Sequence, residues 1–150
     1  MSIKTADLKT YIIIPALQLM GDKFLTDVAV QLLLATAAQE SHMGEFLHQI
    51  NGPALGIYQM EPPTFIDTLN RADNIISAIY PRAPSERLIY DLRYATVVAR
   101  AKYFLDPSPL PNAEDVNGLW DIYKRVWNTT LGAATQQQFL GNYAKYVEGI

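Results

Sequence analysis

The sequence predicts an all-α fold, on two observations. Apolar residues recur at helical spacing along almost the whole chain, and no segment sustains an alternation of period two. Its 150 residues suffice for one domain with a real core and are too few for two, so residues 1–150 read as a single domain.

A first helical stretch runs from about Leu8 to Met20. Pro15 either kinks it or starts a second short helix, and Gly21 is placed to close it in a left-handed cap. Thr26 suits the N-cap of the next helix, which carries Ala29, Val30, Leu33, Leu34, Ala37 and Ala38 toward Glu40. That helix is apolar over most of its circumference, which places it at the centre of the fold. Pro62 and Pro63 fit the first turn of a short helix reaching about Asn70, because a missing N–H costs nothing there. Another short helix covers Asn74 to Tyr80 and stops before Pro81. Ser85 can cap a longer one with Leu88, Leu92, Ala95, Ala99 and Tyr103 on its face, ending before the stiff surface loop "DPSPLP". Asn112 opens a helix bearing Val116, Leu119, Tyr123 and Trp127, and Thr135 with Gln138 forms a capping-box pattern for the last, which carries Phe139, Tyr143, Tyr146 and Val147.

Composition narrows the function classes. With 12 Lys plus Arg against 15 Asp plus Glu, the formal charge is -3, and neither sign gathers into a run, so no nucleic-acid partner is advertised. The chain has no cysteine, hence neither a disulfide framework nor a thiolate metal site. "YIIIPALQLM" is too short to span a bilayer and has no small-residue cleavage site after it, so membrane insertion and a signal peptide are not expected. His42 and His48 do not match a paired ligand set, and no metal or cofactor is expected. Trp120, Tyr123 and Trp127 follow helical spacing and read as core; Glu45 and Glu61 read as solvated.

One place departs from ordinary helical sequence. The central apolar helix ends on a carboxylate, Glu40, where the negative end of the helix dipole and apolar surroundings both disfavour ionisation and raise its pKa. Such an acid, neutral near pH 6 to 7, is what general-acid cleavage of a glycosidic bond requires; each pKa unit stores only ~1.4 kcal/mol. Gln59 brings a donor and an acceptor, and Gly52 and Gly56 would let backbone approach a ligand closely.

"QES" (Gln39, Glu40, Ser41), a bend, and then "GIYQMEPPTF" (Gly56 to Phe65) resemble the Glu-Ser and Gly-Leu-Met-Gln motifs of the soluble lytic transglycosylases. "DLRYATVVARAKYFL" (Asp91 to Leu105) is similar to the family helix that follows the substrate loop. "IYKRVWNTTLGAAT" (Ile122 to Thr135) stands where the family has its Ala-Tyr-Asn segment, with Trp127 and Asn128 matching Tyr-Asn. The likeness covers about Leu32 to Tyr146, with the first two motifs specific and the third loose. "IIIPALQLMG", "TAAQES" and "GPALGIYQMEP" also resemble small proteins encoded by tailed bacteriophages.

The resemblance implies a lysozyme-like α fold and cleavage of the β-1,4 bond between N-acetylmuramic acid and N-acetylglucosamine in peptidoglycan. Glu40 would be the catalytic acid and then the base. Ser41 would hold its carboxylate, Gln59 and Asn128 would bind acetamido groups or steady the oxocarbenium ion, and Tyr58 would line the sugar subsites. Partners would be glycan strands and other virion proteins, and the protein would reside in the virion or in the host cytoplasm before assembly or export. The sequence departs from the family at Tyr58, at Trp127 and at the "NTT" where glycine is usual. Glu61 or Asp67 could instead activate a water for hydrolysis, and a non-catalytic virion component that keeps the fold is the other class of reading.

Overall fold

A computed structural model describes residues 2–129 and 132–150, and the regular elements within them are all helical. The chain is all-α. Its first rod starts earlier than predicted: α1 (Thr5–Asp7) runs through a π-helical segment, Leu8–Ile13, into α2 (Ile14–Met20). Pro15 has no N–H to give the Tyr11 carbonyl one turn back, and the widened segment absorbs the mismatch, with the Ile14 N–H bonding to Lys9 O. The Tyr11 carbonyl is satisfied from outside, by the Arg93 guanidinium at 3.1 and 3.3 Å. Gly21 does end α2, but at φ 110° and ψ 169°, an extended glycine conformation and not the left-handed cap.

The central helix is α3 (Asp27–Ser41), and the Thr26 hydroxyl caps it by accepting from the Ala29 N–H at 3.2 Å. Leu32, Leu33 and Leu34 are consecutive and all buried, which requires neighbours around the whole helix. Those neighbours are the N-terminal rod, α7 (Leu92–Phe104) and α9 (Gln136–Tyr146). Polar ties fix the register: the Thr36 hydroxyl donates to Leu32 O at 2.7 Å and lies 2.8 Å from the Tyr103 hydroxyl on α7.

Around this core run α4 (Pro62–Arg71), α5 (Asp73–Ile76) and α6 (Arg87–Tyr90). The helix predicted over Asn74 to Tyr80 is thus shorter and starts one residue earlier. The long helix predicted from Ser85 is two, because Asp91 leaves helical geometry at φ −113°, ψ 91°. Its carboxylate serves both, capping the Tyr94 N–H at 3.0 Å and pairing with Arg87 Nε at 3.0 Å. Likewise α8 (Val116–Ile122) is capped by Asp115, which accepts from the Gly118 N–H, and Asn112 holds only the preceding turn. A second π-helical segment, Tyr123–Asn128, prolongs α8. Thr135 and Gln138 form the reciprocal capping box of α9, at 3.2 and 3.1 Å. No helix among the described residues is long and apolar enough to cross a membrane.

Candidate active site

The chain leaves α3 through three consecutive left-handed residues, His42, Met43 and Gly44, and then folds back toward the helix end. Ser41 makes that turn possible. Its fully buried hydroxyl donates to Ile57 O at 2.7 Å and accepts from the Gly44 N–H at 2.9 Å. It does not hold the Glu40 carboxylate or face a ligand, contrary to the role the resemblance implied. One hydroxyl has one proton, and the shorter of its two acceptor contacts, Ile57 O rather than Ala37 O at 3.3 Å, ties the bend to the helix end.

The glycines also act differently from expectation. Gly56 sits at φ +81°, and a Cβ built there would lie 2.4 Å from the Leu88 carbonyl oxygen. It admits the protein's own backbone, not a ligand. At Gly52 the space is occupied by the Gln49 side chain. Tyr58 is another correction: it is 2% exposed, with its hydroxyl 2.8 Å from Thr96 Oγ1 and its ring edge-on to Trp127, so it belongs to the core and lines no subsite.

Gln59 is held at φ 53°, a conformation that costs a residue with a side chain about 1–2 kcal/mol. Its Nε2 donates to Gly56 O at 2.9 Å, and its Oε1 makes no hydrogen bond among the described residues. The bend thereby brings Gln59 to the wall of an open cleft of about 240 Å³, whose lining also includes Glu40, Glu61, Lys102, Trp127 and Asn128. Three of the residues singled out in the sequence, Glu40, Gln59 and Asn128, therefore meet at one place. Asp67 does not join them; it lies 3.6 Å from Arg71 over a neighbouring hollow.

Glu40 is a strongly perturbed acid at the cleft wall. Burial pushes its carboxyl up to about 7, and a hydrogen bond donated by the Tyr123 hydroxyl to Oε2 opposes part of that rise. Tyr123 is itself kept protonated, first by burial and then by the Glu40 charge beside it. The cleft thus holds a carboxyl able to give and take a proton near neutrality, aligned by a phenol that stays a donor. Asn128 is oriented from the other side. Lys124 Nζ donates to Asn128 Oδ1 at 2.7 Å and to Gly132 O at 2.9 Å, closing the end of the π-helical segment. Thr130 and Leu131, the rest of the "NTT" departure and its neighbour, lie outside the described residues.

Neither family models, nor curated proteins, nor solved structures provide a match to this chain.

Tyr123 and Trp127, whose helical spacing predicts core positions, both border the site. Tyr123 is fully buried on the face that packs on Phe139, as its spacing predicts, yet its hydroxyl donates to the Glu40 carboxyl. The available signal was chemical: a buried phenol needs an acceptor, and Glu40 was the candidate at a buried helix end. Trp127 does pack on the core, stacked on Tyr103 at 5.3 Å with its Nε1 donating to Tyr58 O at 3.1 Å, and it also lines the cleft.

Proposed function

We propose that this protein cleaves peptidoglycan glycan strands by the lytic transglycosylase reaction, with Glu40 as its single acid and base. The observation that carries the reading is a carboxyl raised to about 7 at the wall of an open polar cleft, beside Gln59, Asn128 and the ring of Trp127. The motif likeness around Glu40 and Gln59 supports it, as does the all-helical architecture, which a lysozyme-like fold would share.

In that reaction the Glu40 carboxylic acid gives its proton to the glycosidic oxygen as the bond to C1 of the muramic acid breaks. The C6 hydroxyl of the same sugar then attacks C1 and passes its proton to the Glu40 carboxylate, regenerating the acid and leaving a 1,6-anhydro ring. Proton donation and return need one group with a pKa near the working pH. Tyr123 keeps the carboxylate aligned between the two steps, and Gln59 Oε1 is an acceptor for a substrate N–H or hydroxyl. Ser41 and Tyr58 contribute to the bend that carries Gln59 and touch no substrate.

A second reading has an observation of its own. Glu61 lines the same cleft and is exposed, so a water-activating partner is at hand for an inverting hydrolysis, which needs two carboxyl groups ~6.5–9.5 Å apart. The phage likeness supports a virion-associated or lysis protein that meets the wall during infection.

Mass spectrometry of purified peptidoglycan after incubation with the wild type and with Glu40→Gln tests these readings. Glutamate-dependent 1,6-anhydro muropeptides are expected. Reducing ends that also depend on Glu61 would establish hydrolysis. A wall left intact by both proteins would sink the enzymatic reading and leave a non-catalytic virion component, to be sought in purified particles.

A further inference from the structure

The hydrogen bonding that aligns Glu40 does not end at Tyr123. Lys124, the next residue, is half-buried, and its ammonium meets three neutral oxygens: Asn128 Oδ1 at 2.7 Å, Gly132 O at 2.9 Å and Ala134 O at 3.3 Å. A lysine that only closed the π-helical segment would need the two main-chain carbonyls alone, yet its shortest bond goes to a side chain of the cleft wall. That bond decides which end of the Asn128 amide is spent. With Oδ1 on the ammonium, the NH2 group is the end left for other partners. The Asn128 side chain also hydrogen-bonds the Tyr123 hydroxyl and favours the ionised phenol, the sign of a donor reaching the phenol oxygen. Tyr123 in turn donates its own proton to Glu40 Oε2. The bonds therefore run one way, from Lys124 through Asn128 and Tyr123 to Glu40, each donor polarised by the one before it. Gly132 makes room for this, because a Cβ built there would run into Asn128 Oδ1 and the Asn128 backbone oxygen.

We propose that Lys124 is a positioning residue for the acid: it fixes the Asn128 amide so that the Tyr123 O–H stays on the Glu40 carboxyl while that group loses and regains its proton. Asn128 then serves the carboxyl and not, as the resemblance implied, the sugar. A donor fixed in advance stabilises the carboxylate that forms on proton transfer without having to reorient. The catalytic meaning of this relay rests on the glycan-cleaving reading above, whereas the relay itself belongs to the folded protein. Tyr103 and Lys102 on α7 and Glu61 ahead of α4 also border Glu40 or its cleft, and they are the same in every variant below.

NMR titration of protein carrying glutamate labelled with ¹³C at the side-chain carboxyl tests the relay without any substrate, the Glu40 signal being assigned by its absence from Glu40→Gln. Lys124→Met is expected to move the Glu40 midpoint upward from about 7 by about half a pH unit, because a loosened Tyr123 donor opposes burial less. Gly132→Ala, which crowds Asn128 and changes no charge, is expected to move it in the same direction, and Lys124→Arg to return it most of the way. In a Tyr123→Phe background neither Lys124→Met nor Gly132→Ala should move the midpoint further. A Lys124→Met shift that persists in that background would assign the effect to the field of the ammonium and overturn the relay. A midpoint unmoved by both single variants, in proteins whose spectra show them folded, would overturn it too and leave Lys124 as a cap. If Lys124→Met does not fold, Gly132→Ala decides alone by the same comparison. Intact peptidoglycan together with the coupled shift would remove the glycan reading and keep the relay; anhydro products without the shift would do the reverse.

Discussion

The Tyr123 hydroxyl donates its hydrogen bond to Glu40 Oε2, joining the end of the central helix to a residue 83 positions later. Glu40 therefore has burial raising its pKa and one donor lowering it. Tyr123→Phe removes the donor and leaves the ring's packing on Phe139. The Glu40 carboxyl is then expected to rise above about 7, carrying the alkaline limb of the pH–rate profile to higher pH, while kcat falls at least about tenfold through lost alignment. A pH profile unmoved by the substitution would show that the phenol serves packing alone.

Stability should also depend on pH through Glu40. Its folded value, about 7, lies above the ordinary 4.5, so between these two the folded state binds the extra proton. The stabilisation is complete below pH 4.5, declines as pH rises, and is gone above about 7, a span worth on the order of 3 kcal/mol. Glu40→Gln should flatten this slope, making the variant more stable than wild type at pH 8 and little different at pH 4. Urea unfolding of both proteins at the two pH values checks it; a variant that is less stable at pH 8 would contradict a carboxylate held in an unfavourable place.

Ser41→Ala separates a structural hydroxyl from a catalytic one. It strands the buried Ile57 carbonyl and the Gly44 N–H and is expected to cost about 2 kcal/mol in stability. The pH–rate profile of the folded fraction should stay where it is. A moved profile without loss of stability would return Ser41 to the reacting carboxylate.

Gly56→Ala is expected to be among the more damaging small substitutions in the chain. The φ of +81° strains any side chain, and the added methyl would sit 2.4 Å from the rigid Leu88 carbonyl. Together these are expected to cost about 2–4 kcal/mol, read as a lowered urea midpoint. Activity should fall with the folded fraction and further, because the displaced bend carries Gln59.

Gln59→Asn keeps a residue that tolerates left-handed backbone and shortens the amide by one carbon. Stability is expected to stay within about 1 kcal/mol of wild type while kcat/KM falls at least about tenfold. Unchanged turnover would mean that the Gln59 amide only supports the bend.

The local parts of this fold were legible in the sequence because they are decided within a few residues. Thr26 caps α3, and Thr135 with Gln138 caps α9, since each cap is a contact three residues long. The predicted caps at Ser85 and Asn112 lost to Asp91 and Asp115, because several polar residues in each stretch could cap locally and packing chose among them. Pro15 could be read as a kink or a start, and the choice depended on Arg93, far away in sequence, reaching the carbonyl that Pro15 leaves free.

What the sequence by itself determined is the helical class and the central place of α3, through periodicity, whereas a shared site for Glu40, Gln59 and Asn128 was only what the motif resemblance implied. Tertiary structure alone decided how each polar group spends its few hydrogen bonds. Ser41 is committed to Ile57, Tyr58 to Thr96 and Tyr123 to Glu40 because those partners lie 16, 38 and 83 residues away. A side chain's type states what it can bond, but burial leaves it only the partner that folding places beside it.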